Sequence, residues 1–337
     1  MAASRLTFHV VVAALLAQVA IACLPQDTRP TPASLLVTAA SNDATQRGFD
    51  TDDGWHIEFT KVLVSLGRAS FGDGSSSCTP YTDAGYQRVL DMRRPEEQKV
   101  NLIYGLGSCD LEFRVAYPTV EDSLAGAGVS DEDMLYMRTQ GFDRLVTTGA
   151  GVDGYISGVA HKEAQSLTFS WSFRQNWSYK DCSVDVDGGT RSAIQMNGKT
   201  AESFNLTVHA EELFQNQNET NQWQLLFEPM VLADTKYGNG DGDVTLDELN
   251  CVYVRTMGSQ SAFGDLGGLG APDAGTTSGS VGSDNCAGYL SADTKDPGTV
   301  FPHYLEYQVY MFLYPSIFHY GDSGHCQATT SQNRRGG

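Results

Sequence analysis

The sequence predicts a mainly β protein, an antiparallel sandwich-like domain that carries one short helix–loop–helix insertion. Apolar and polar residues alternate at period two in several segments, which is typical of strands that bury one face. Helical patterns are confined to short segments, and the chain has no internal repeat. About 250 residues remain once the terminal segments and a glycine-rich stretch are set aside, enough for a single domain of packed sheets.

The first 22 residues are typical of an export signal. Arg5 supplies the positive start, residues 10–16 form a short apolar core, and residues 20–22 read Ala-Ile-Ala. Cleavage before Cys23 is expected, either by an ordinary signal peptidase or by the pathway that attaches a lipid to the new N-terminal cysteine. Cys23 is therefore the candidate lipidation site. The apolar core is too short to span a membrane, so the predicted membrane contact is through the lipid alone.

The residues after the signal are predicted in chain order. Residues 23–50 contain three prolines among small polar residues and are predicted to form a linker. A β-rich domain is predicted over residues 51–337. A Ser-x-x-Asp pattern at residues 130–133 indicates the start of a short helix. The clearest alternating strand segments are residues 57–59, 111–117, 167–173 and 204–208.

The sequence pattern changes twice in the second half of the domain. Helices are predicted at residues 223–233 and 246–257, on either side of an acidic loop at 234–248. Residues 258–285 are rich in Gly, Ser, Ala and Asp and are predicted to be a flexible insertion. Residues 304–318 are densely aromatic and are expected to return to the core.

The cysteines indicate an oxidising compartment. Six spaced cysteines without a C-x-x-C pair favour three disulfides over a zinc ribbon or a redox site. Proximity in sequence favours Cys78–Cys109 and Cys251–Cys286 among many possible connectivities, and this leaves Cys182 to pair with Cys326. The candidate disulfide cysteines are those that remain after Cys23: Cys78, Cys109, Cys182, Cys251, Cys286 and Cys326.

The charge balance excludes one class of partner. The chain has 22 basic and 41 acidic residues, a formal net charge of −19. Nucleic-acid binding depends on lysine and arginine contacts to phosphate, so nucleic acid is not expected as a partner. An acidic surface suits a secreted, calcium-rich setting, although solvated surface groups explain most of these carboxylates equally well.

The sharpest chemical pattern lies at residues 234–248. Oxygen-bearing side chains alternate along a tight glycine-containing turn and a glutamate follows, the pattern of an EF-hand calcium loop. Calcium takes about six to eight oxygens, and alternate residues of such a loop point inward together. The predicted insertion is thus a helix–calcium loop–helix unit. The candidate calcium ligands are Asp234, Asn239, Asp241, Asp243, Thr245 and Glu248.

The register of this loop departs from the EF-hand pattern at its start. With Gly242 as the turn glycine, Glu248 falls at the last ligand position, and Tyr237 falls where an aspartate is required. Asp234 serves as the first ligand only if the start of the loop carries extra residues. The alternative interpretation is an acidic turn before a helix, with no bound ion.

Histidines near two strand ends are candidates for a transition-metal site. His209 ends an alternating strand and is followed closely by Glu212, whereas His319 and His325 flank a glycine-containing turn. Imidazole and carboxylate ligands suit zinc, iron and copper. The alternative is that these histidines are surface or hydrogen-bonded groups without an ion.

Other catalytic patterns are weaker. The sequence has no nucleophile elbow, Walker A loop or Rossmann fingerprint. Acidic pairs such as Glu211 with Glu212, or Asp52 with Asp53, serve glycosidic chemistry only when they face each other across a cleft. Both pairs are therefore expected to be solvated.

Six short segments spread over the chain resemble one group of proteins. They are residues 53–59, 158–162, 168–173, 207–214, 233–249 and 324–326. The group comprises uncharacterised secreted lipoproteins of myxobacterial type. The resemblance implies a single EF-hand-like calcium loop and a C-terminal His-x5-His-Cys segment, which His319 and His325 match. It also implies His209 as a ligand, while Glu212 stands where the group has a second histidine.

These patterns favour an exported, lipid-anchored metal-binding protein rather than an enzyme. The expected location is the outer membrane or the cell surface. If Cys23 is not lipidated, a periplasmic or secreted protein is expected. Calcium would be structural, and His209, Glu212, His319 and His325 would bind zinc, copper or iron. One alternative is a calcium-stabilised adhesion or structural surface module. Another is a metal-dependent enzyme in which an open coordination position activates water. The sequence does not identify a protein partner.

Overall fold

The computed structural model divides the chain into residues 1–31 and 32–337, and the elements below belong to the second unit. It describes residues 30–72, 77–139, 151–174, 176–186, 189–198, 202–217, 223–249, 253–254, 303–304, 309 and 313–330. The predictions that lie outside the described residues are those on residues 1–22, Cys23, Cys251, Cys286 and residues 258–285.

The protein is mainly β, as the sequence predicts. The strands are β1 (Ala33–Ser41), β2 (Phe49–Asp50), β3 (His56–Phe71), β4 (Cys78–Thr82), β5 (Gln87–Asp91), β6 (Gln98–Cys109), β7 (Leu111–Val115), β8 (Ser123–Ala125), β9 (Gly154–Lys162), β10 (Gln165–Phe173), β11 (Trp177–Val186), β12 (Gly189–Arg191), β13 (Ile194–Met196), β14 (Glu202–Val208), β15 (Gln215–Gln217), β16 (Trp223–Leu225), β17 (Asp243–Val244), β18 (Tyr253–Val254), β19 (His303–Tyr304), β20 (Phe318–Tyr320) and β21 (His325–Thr330).

The helices are short. They are α1 (Asp43–Arg47), α2 (Asp131–Thr139), α3 (Glu228–Leu232), α4 (Leu246–Leu249) and α5 (Tyr314–Ser316). A 3₁₀ turn covers Ala210–Phe214, and a π-helical turn covers Ala233–Tyr237. None of the helices in the described residues is long and apolar enough to cross a membrane.

Two mixed sheets form a sandwich or half-barrel. The first sheet has the order β13–β6–β1–β14–β20, and β4 also pairs with β6. The second has the order β12–β11–β7–β3–β9–β10–β17, with β2 and β5 on β3, β8 on β5, and β21 on β11. Buried side chains of both sheets, such as Val37, Phe204 and Phe169, belong to one hydrophobic core. The predicted sandwich-like class is therefore confirmed.

The alternating segments form strands with one buried face. In β10, Phe169 and Trp171 are buried, whereas Ser170 between them and Thr168 before Phe169 are exposed. Segments 57–59, 111–117 and 204–208 fall in or extend just beyond β3, β7 and β14. The aromatic segment near the C-terminus also returns to the core, since Tyr314 and Phe318 are buried.

The prediction of an antiparallel sheet is wrong in part. β1 and β14 pair in parallel, as do β5 with β8 and β10 with β17. Only short hairpin connections force neighbouring strands to run antiparallel, and β1 and β14 are far apart in the chain. A period-two pattern marks a strand but carries no information about its direction.

The predicted linker at residues 23–50 is wrong for its second half. β1 lies between β6 and β14 in the first sheet, and Leu35, Val37 and Ala39 are fully buried. Pro32 precedes the strand, where a missing N–H does not interrupt the ladder. The prolines therefore end before the domain begins, and the alternation of small apolar residues after them is a strand signal.

The predicted helix–loop–helix insertion is not confirmed in its expected form. Residues 223–225 form β16 and pair with β15, and the helical residues before the loop span 228–237. After the loop, α4 has a single turn, and residues 253–254 form β18. The period of a short apolar run does not show whether the run is a strand or a buried helix. This is why residues 223–225 and 253–254 are strands where helices were predicted.

Two of the three predicted disulfides fall within the described residues, and both are present. Cys78–Cys109 joins β4 to β6. Cys182–Cys326 joins β11 to β21 across 144 residues of sequence and holds the C-terminal strand on the second sheet. Disulfides are compatible with an exported protein.

A reciprocal cap begins α2, as the Ser-x-x-Asp pattern predicts. Ser130 N donates to Asp133 Oδ2 at 3.0 Å, and Asp133 N donates to Ser130 Oγ at 3.1 Å. Lys61 of β3 also bonds to the Asp133 carboxylate. Burial raises the pKa of Asp133, but hydrogen bonds from Lys61 and Ser130 and the Lys61 charge outweigh burial, so this pKa lies below its ordinary value.

Asp133→Asn is expected to lower the free energy of unfolding by about 1 kcal/mol at neutral pH, because a charged acceptor is replaced by a neutral one. The folded-state pKa is depressed, so the contribution of Asp133 is present above its unfolded pKa of about 3.9 and disappears as the pH falls through the folded pKa. Urea unfolding at neutral and acidic pH measures both effects. Asp131→Asn, an exposed acid in the same helical turn, is the control and should change stability less.

Candidate functional site

Three histidines and two glutamates meet at one end of the first sheet, and we call this group the histidine cluster: His209, His319, His325, Glu211 and Glu212. His209 follows β14, His319 lies in β20, and His325 begins β21. β14 and β20 pair with Thr207 opposite His319, which brings the first two histidines together. The ring centroids of His209 and His319 are 4.4 Å apart, and those of His319 and His325 are 5.4 Å apart.

One ring nitrogen of His209 is held by polar side chains, and the other is not. Nδ1 lies 3.1 Å from Glu211 Oε1 and 2.9 Å from Asn42 Nδ2, and Asn42 also bonds to Glu211. Nε2 is buried and has no hydrogen-bond partner among the described residues. When Nδ1 carries the hydrogen and donates it to Glu211, the Asn42 amide donates to Glu211 rather than to the ring, and Nε2 presents a lone pair. A carboxylate that accepts from one ring nitrogen orients a metal-ligating histidine in this way.

His319 has a similar environment. Its Nε2 lies 3.1 Å from Glu212 Oε1, and the side chain is only 10% exposed. Its Nδ1 is buried without a hydrogen-bond partner among the described residues. His325, in contrast, is exposed at the start of β21, next to Cys326 of the disulfide. The cluster therefore consists of two enclosed imidazoles and one that faces solvent.

Burial and charge act in opposite directions on His209. Burial lowers the pKa of His209, since it disfavours the charged ring. The hydrogen bond to Glu211 and the negative charges of Glu211, Glu212 and Asp322 outweigh burial, so the pKa of His209 lies above its ordinary value. The carboxylates thus make this buried ring more basic and a better electron donor.

The donor set of the cluster fits a transition-metal ion, although the ligand atoms do not yet converge. His319 Nε2 and Glu212 Oε1 are 3.1 Å apart, a hydrogen-bond contact, so Glu212 becomes a ligand only by exchanging this contact for the metal. Within the described part of the chain, no group of three or more His, Cys, Asp or Glu side chains is placed to hold a metal ion. Bound metal would therefore require the side chains to rotate.

Both acidic pairs that the sequence analysis assigns to solvent take part in the structure. Glu211 is only 13% exposed and bonds to Asn42, Thr45 and His209. Asp53 Oδ2 accepts hydrogen bonds from the backbone of Phe227 and Glu228 and so caps α3. The expectation of solvated carboxylates is wrong for Glu211, Glu212 and Asp53, which have hydrogen-bond partners that lie mostly far away in sequence, whereas Asp52 is exposed as expected.

Sequence reasoning missed Asn42 as a member of this site. Asn42 Oδ1 accepts from Thr45 N at 3.0 Å and caps α1, which orients its Nδ2 towards His209 and Glu211. The Asn-x-x-Thr spacing at the end of an alternating segment is a helix-start signal. That signal locates the cap, but not the histidine that the cap contacts.

The acidic loop brings Asp234 to the turn glycine. Asp234 is 1% exposed, and its Oδ2 accepts from Gly242 N at 3.2 Å. The π-helical turn at Ala233–Tyr237 supplies the extra residues that the loop register requires if Asp234 is to take the first position. Asp234 Oδ1 is buried without a hydrogen-bond partner among the described residues. A buried carboxylate oxygen of this kind favours a cation nearby.

The remaining loop residues are linked by side-chain to backbone hydrogen bonds. Asn239 Oδ1 accepts from Asp241 N, and Asp241 Oδ1 accepts from Asp243 N. Glu248 contacts two other parts of the loop, since Oε1 accepts from Asn239 N at 3.2 Å and Oε2 accepts from Thr245 N at 3.0 Å. All six candidate calcium ligands therefore belong to one compact loop.

The loop is attached to the edge of the second sheet. β17 pairs in parallel with β10, and Thr168 Oγ1 donates to Asp243 Oδ1 at 2.8 Å. Trp171 Nε1, which is buried, donates to Val244 O at 3.0 Å. Ordering of the loop therefore acts directly on a core strand.

Comparison of the chain with protein-family models, with curated proteins and with solved structures found no match. The resemblance to secreted lipoproteins stays a prediction. The two sites are therefore interpreted from their own geometry.

Glu211→Gln is expected to lower the pKa of His209, because the negative charge that outweighs burial is removed. NMR titration of the metal-free protein measures this pKa, and Glu163→Gln in the exposed β9–β10 turn is the control. Since the folded-state pKa is raised, charged His209 stabilises the fold below its unfolded pKa of about 6.5, and this contribution disappears as the pH rises through the folded pKa. An unchanged pKa in Glu211→Gln would contradict this account of the site.

Proposed function

We propose that this chain is an exported, lipid-anchored metal-binding protein with two different sites. The histidine cluster binds one transition-metal ion of the zinc, copper or iron type through His209, His319, His325 and Glu212. The acidic loop binds calcium, which stabilises the fold. The role of the protein is to hold the metal ion rather than to transform a substrate.

One observation carries the proposal for the transition metal. His209 and His319 are adjacent and enclosed, and each has a carboxylate on one ring nitrogen while the other nitrogen is buried without a partner. Unpaired buried nitrogens cost free energy unless something binds them. A metal ion would use the lone pair on each imidazole, and Glu211 would stay behind His209 as its orienting partner.

The calcium assignment is supported by the buried Asp234 carboxylate and by the oxygen-rich loop around it. Calcium prefers carboxylate, amide and carbonyl oxygens, and it tolerates the irregular geometry of a loop with an extended start. Because β17 is part of this loop and pairs with β10, bound calcium would stabilise the sheet. Its role would be structural, since a calcium sensor needs paired EF-hands that open a helical groove.

The proposed location rests on the N-terminal signal pattern, on Cys23 and on the disulfides. Disulfides form and persist in oxidising compartments. Two are present in the described residues. Mass spectrometry of the membrane fraction tests the lipid on Cys23, and Cys23→Ser should release the protein.

Purified protein is expected to contain about one equivalent of zinc, copper or iron in the histidine cluster, which elemental analysis measures. His319→Ala should remove this metal, because it deletes the central imidazole of the cluster, while the calcium content stays unchanged. Ser316→Ala, three residues earlier in the chain and outside the cluster, is the control and should retain the metal. A transition-metal content that is unchanged in His319→Ala would overturn the assignment of the cluster.

Calcium added to chelator-treated protein is expected to raise the free energy of unfolding by about 2.7 kcal/mol at a concentration 100 times the Kd. Asp234→Asn and Glu248→Gln should abolish this increase, because they remove charged oxygens from the two ends of the loop. Asp247→Asn, the exposed neighbour of Glu248, is the matched control. A melting temperature that does not respond to chelation and calcium would remove the calcium assignment.

A further inference from the structure

A second pair of histidines lies on strands that the histidine cluster does not use. His56 begins β3 and lies directly opposite His161 of β9. Asp50 of β2 lies opposite His56 on its other side. Directly opposite residues of antiparallel strands point to the same face of the sheet. Asp50, His56 and His161 therefore form one row across three strands.

This row lies on the outer face of the second sheet. Ile57 follows His56, and Ala160 precedes His161. These two residues pair with each other and are fully buried in the core. Because successive side chains of a strand alternate between faces, His56 and His161 point outward. The His56 side chain is 43% exposed, and His161 is exposed. Both imidazoles are accessible to an ion in solution.

His56 already has the neighbours of a metal ligand. Its Nδ1 lies 2.7 Å from Asp50 Oδ1, which orients the ring and leaves Nε2 as the ligating nitrogen. Nε2 lies 3.4 Å from Glu58 Oε1. That separation matches the distance of about 3.3 Å between two ligand atoms on one tetrahedral zinc ion. The pair His56 and Glu58 thus provides two ligands at the required spacing.

His161 is within reach as a third ligand. The Cβ atoms of directly opposite residues lie about 4.5–5.5 Å apart, so rotation of an exposed imidazole about its side-chain bonds brings the two rings to one ion. An ordinary surface ion pair explains Asp50 with His56, but it does not explain the cross-strand histidine.

We propose that His56, Glu58 and His161 form a second, surface-exposed site for a divalent ion of the zinc type, and that Asp50 is its positioning residue. Two imidazoles and a carboxylate leave a fourth position for water, a set that suits zinc. Because no group of three such side chains among the described residues is placed to hold an ion as it stands, the site forms only when His161 rotates towards His56.

Calorimetric titration of the mature, metal-free protein with zinc, in excess calcium, tests this site. The variant His209→Gln/His319→Gln removes the histidine cluster and should still bind about one equivalent of zinc. Adding His161→Asn or His56→Asn should abolish that binding, and adding Asp50→Asn should weaken it at least about tenfold. Adding Ser166→Ala, opposite His161 on β10, should leave it unchanged.

The outcomes separate this site from the proposed function. Zinc that binds to the wild-type protein in a single equivalent and is lost in His319→Ala would overturn the surface site and leave the proposed function intact. A single equivalent that is lost in His161→Asn would support the surface site and overturn the histidine cluster. Zinc binding that survives His161→Asn in the cluster-free variant also overturns the surface site. Circular dichroism checks that each variant is folded.

Discussion

The parallel pairing of β1 with β14 is the constraint on which the histidine cluster depends. Ser41 at the end of β1 pairs with Val208 at the end of β14. Because the two strands run in the same direction, the residues that follow them, Asn42 and His209, emerge at the same end of the sheet, where Asn42 Nδ2 lies 2.9 Å from His209 Nδ1. β20 pairs with the other side of β14 and adds His319. Strand order thus assembles a site from three distant parts of the chain.

Within this site, burial and charge are balanced against each other. An imidazole that loses water becomes less basic, and a carboxylate that loses water becomes costly unless it is paired. Each enclosed histidine of the cluster has its own glutamate, so one nitrogen of each ring and the carboxylate beside it have a hydrogen-bond partner. The nitrogens on the opposite sides of the two rings have no partner among the described residues. One side of each ring is thus held by hydrogen bonds, and the nitrogen on the opposite side is buried.

The acidic loop is attached to the second sheet at β10. Its π-helical start lets Asp234 reach Gly242, and Glu248 accepts hydrogen bonds from Asn239 N and Thr245 N. Its short strand lies beside β10, where Trp171 bonds to Val244. β10 in turn pairs with β9, the strand that carries His161. The loop is therefore linked through β10 to the strands that present the exposed histidines.

The sequence by itself determined the strands with clear alternation and the cap of α2, because each follows from local period or local hydrogen bonding. Proximity indicated Cys78–Cys109, whereas Cys182–Cys326 was only the pair that remained. The sequence also marked most of the ligand candidates, since imidazole and carboxylate side chains are chemically distinctive. Only the tertiary structure decided that β1 belongs to the core, that β1 and β14 are parallel, and that Glu211 is enclosed. Asn42 and His209 are 167 residues apart. Their contact depends on strand direction and order, which a period-two pattern does not specify, because it records only which face of a strand is buried.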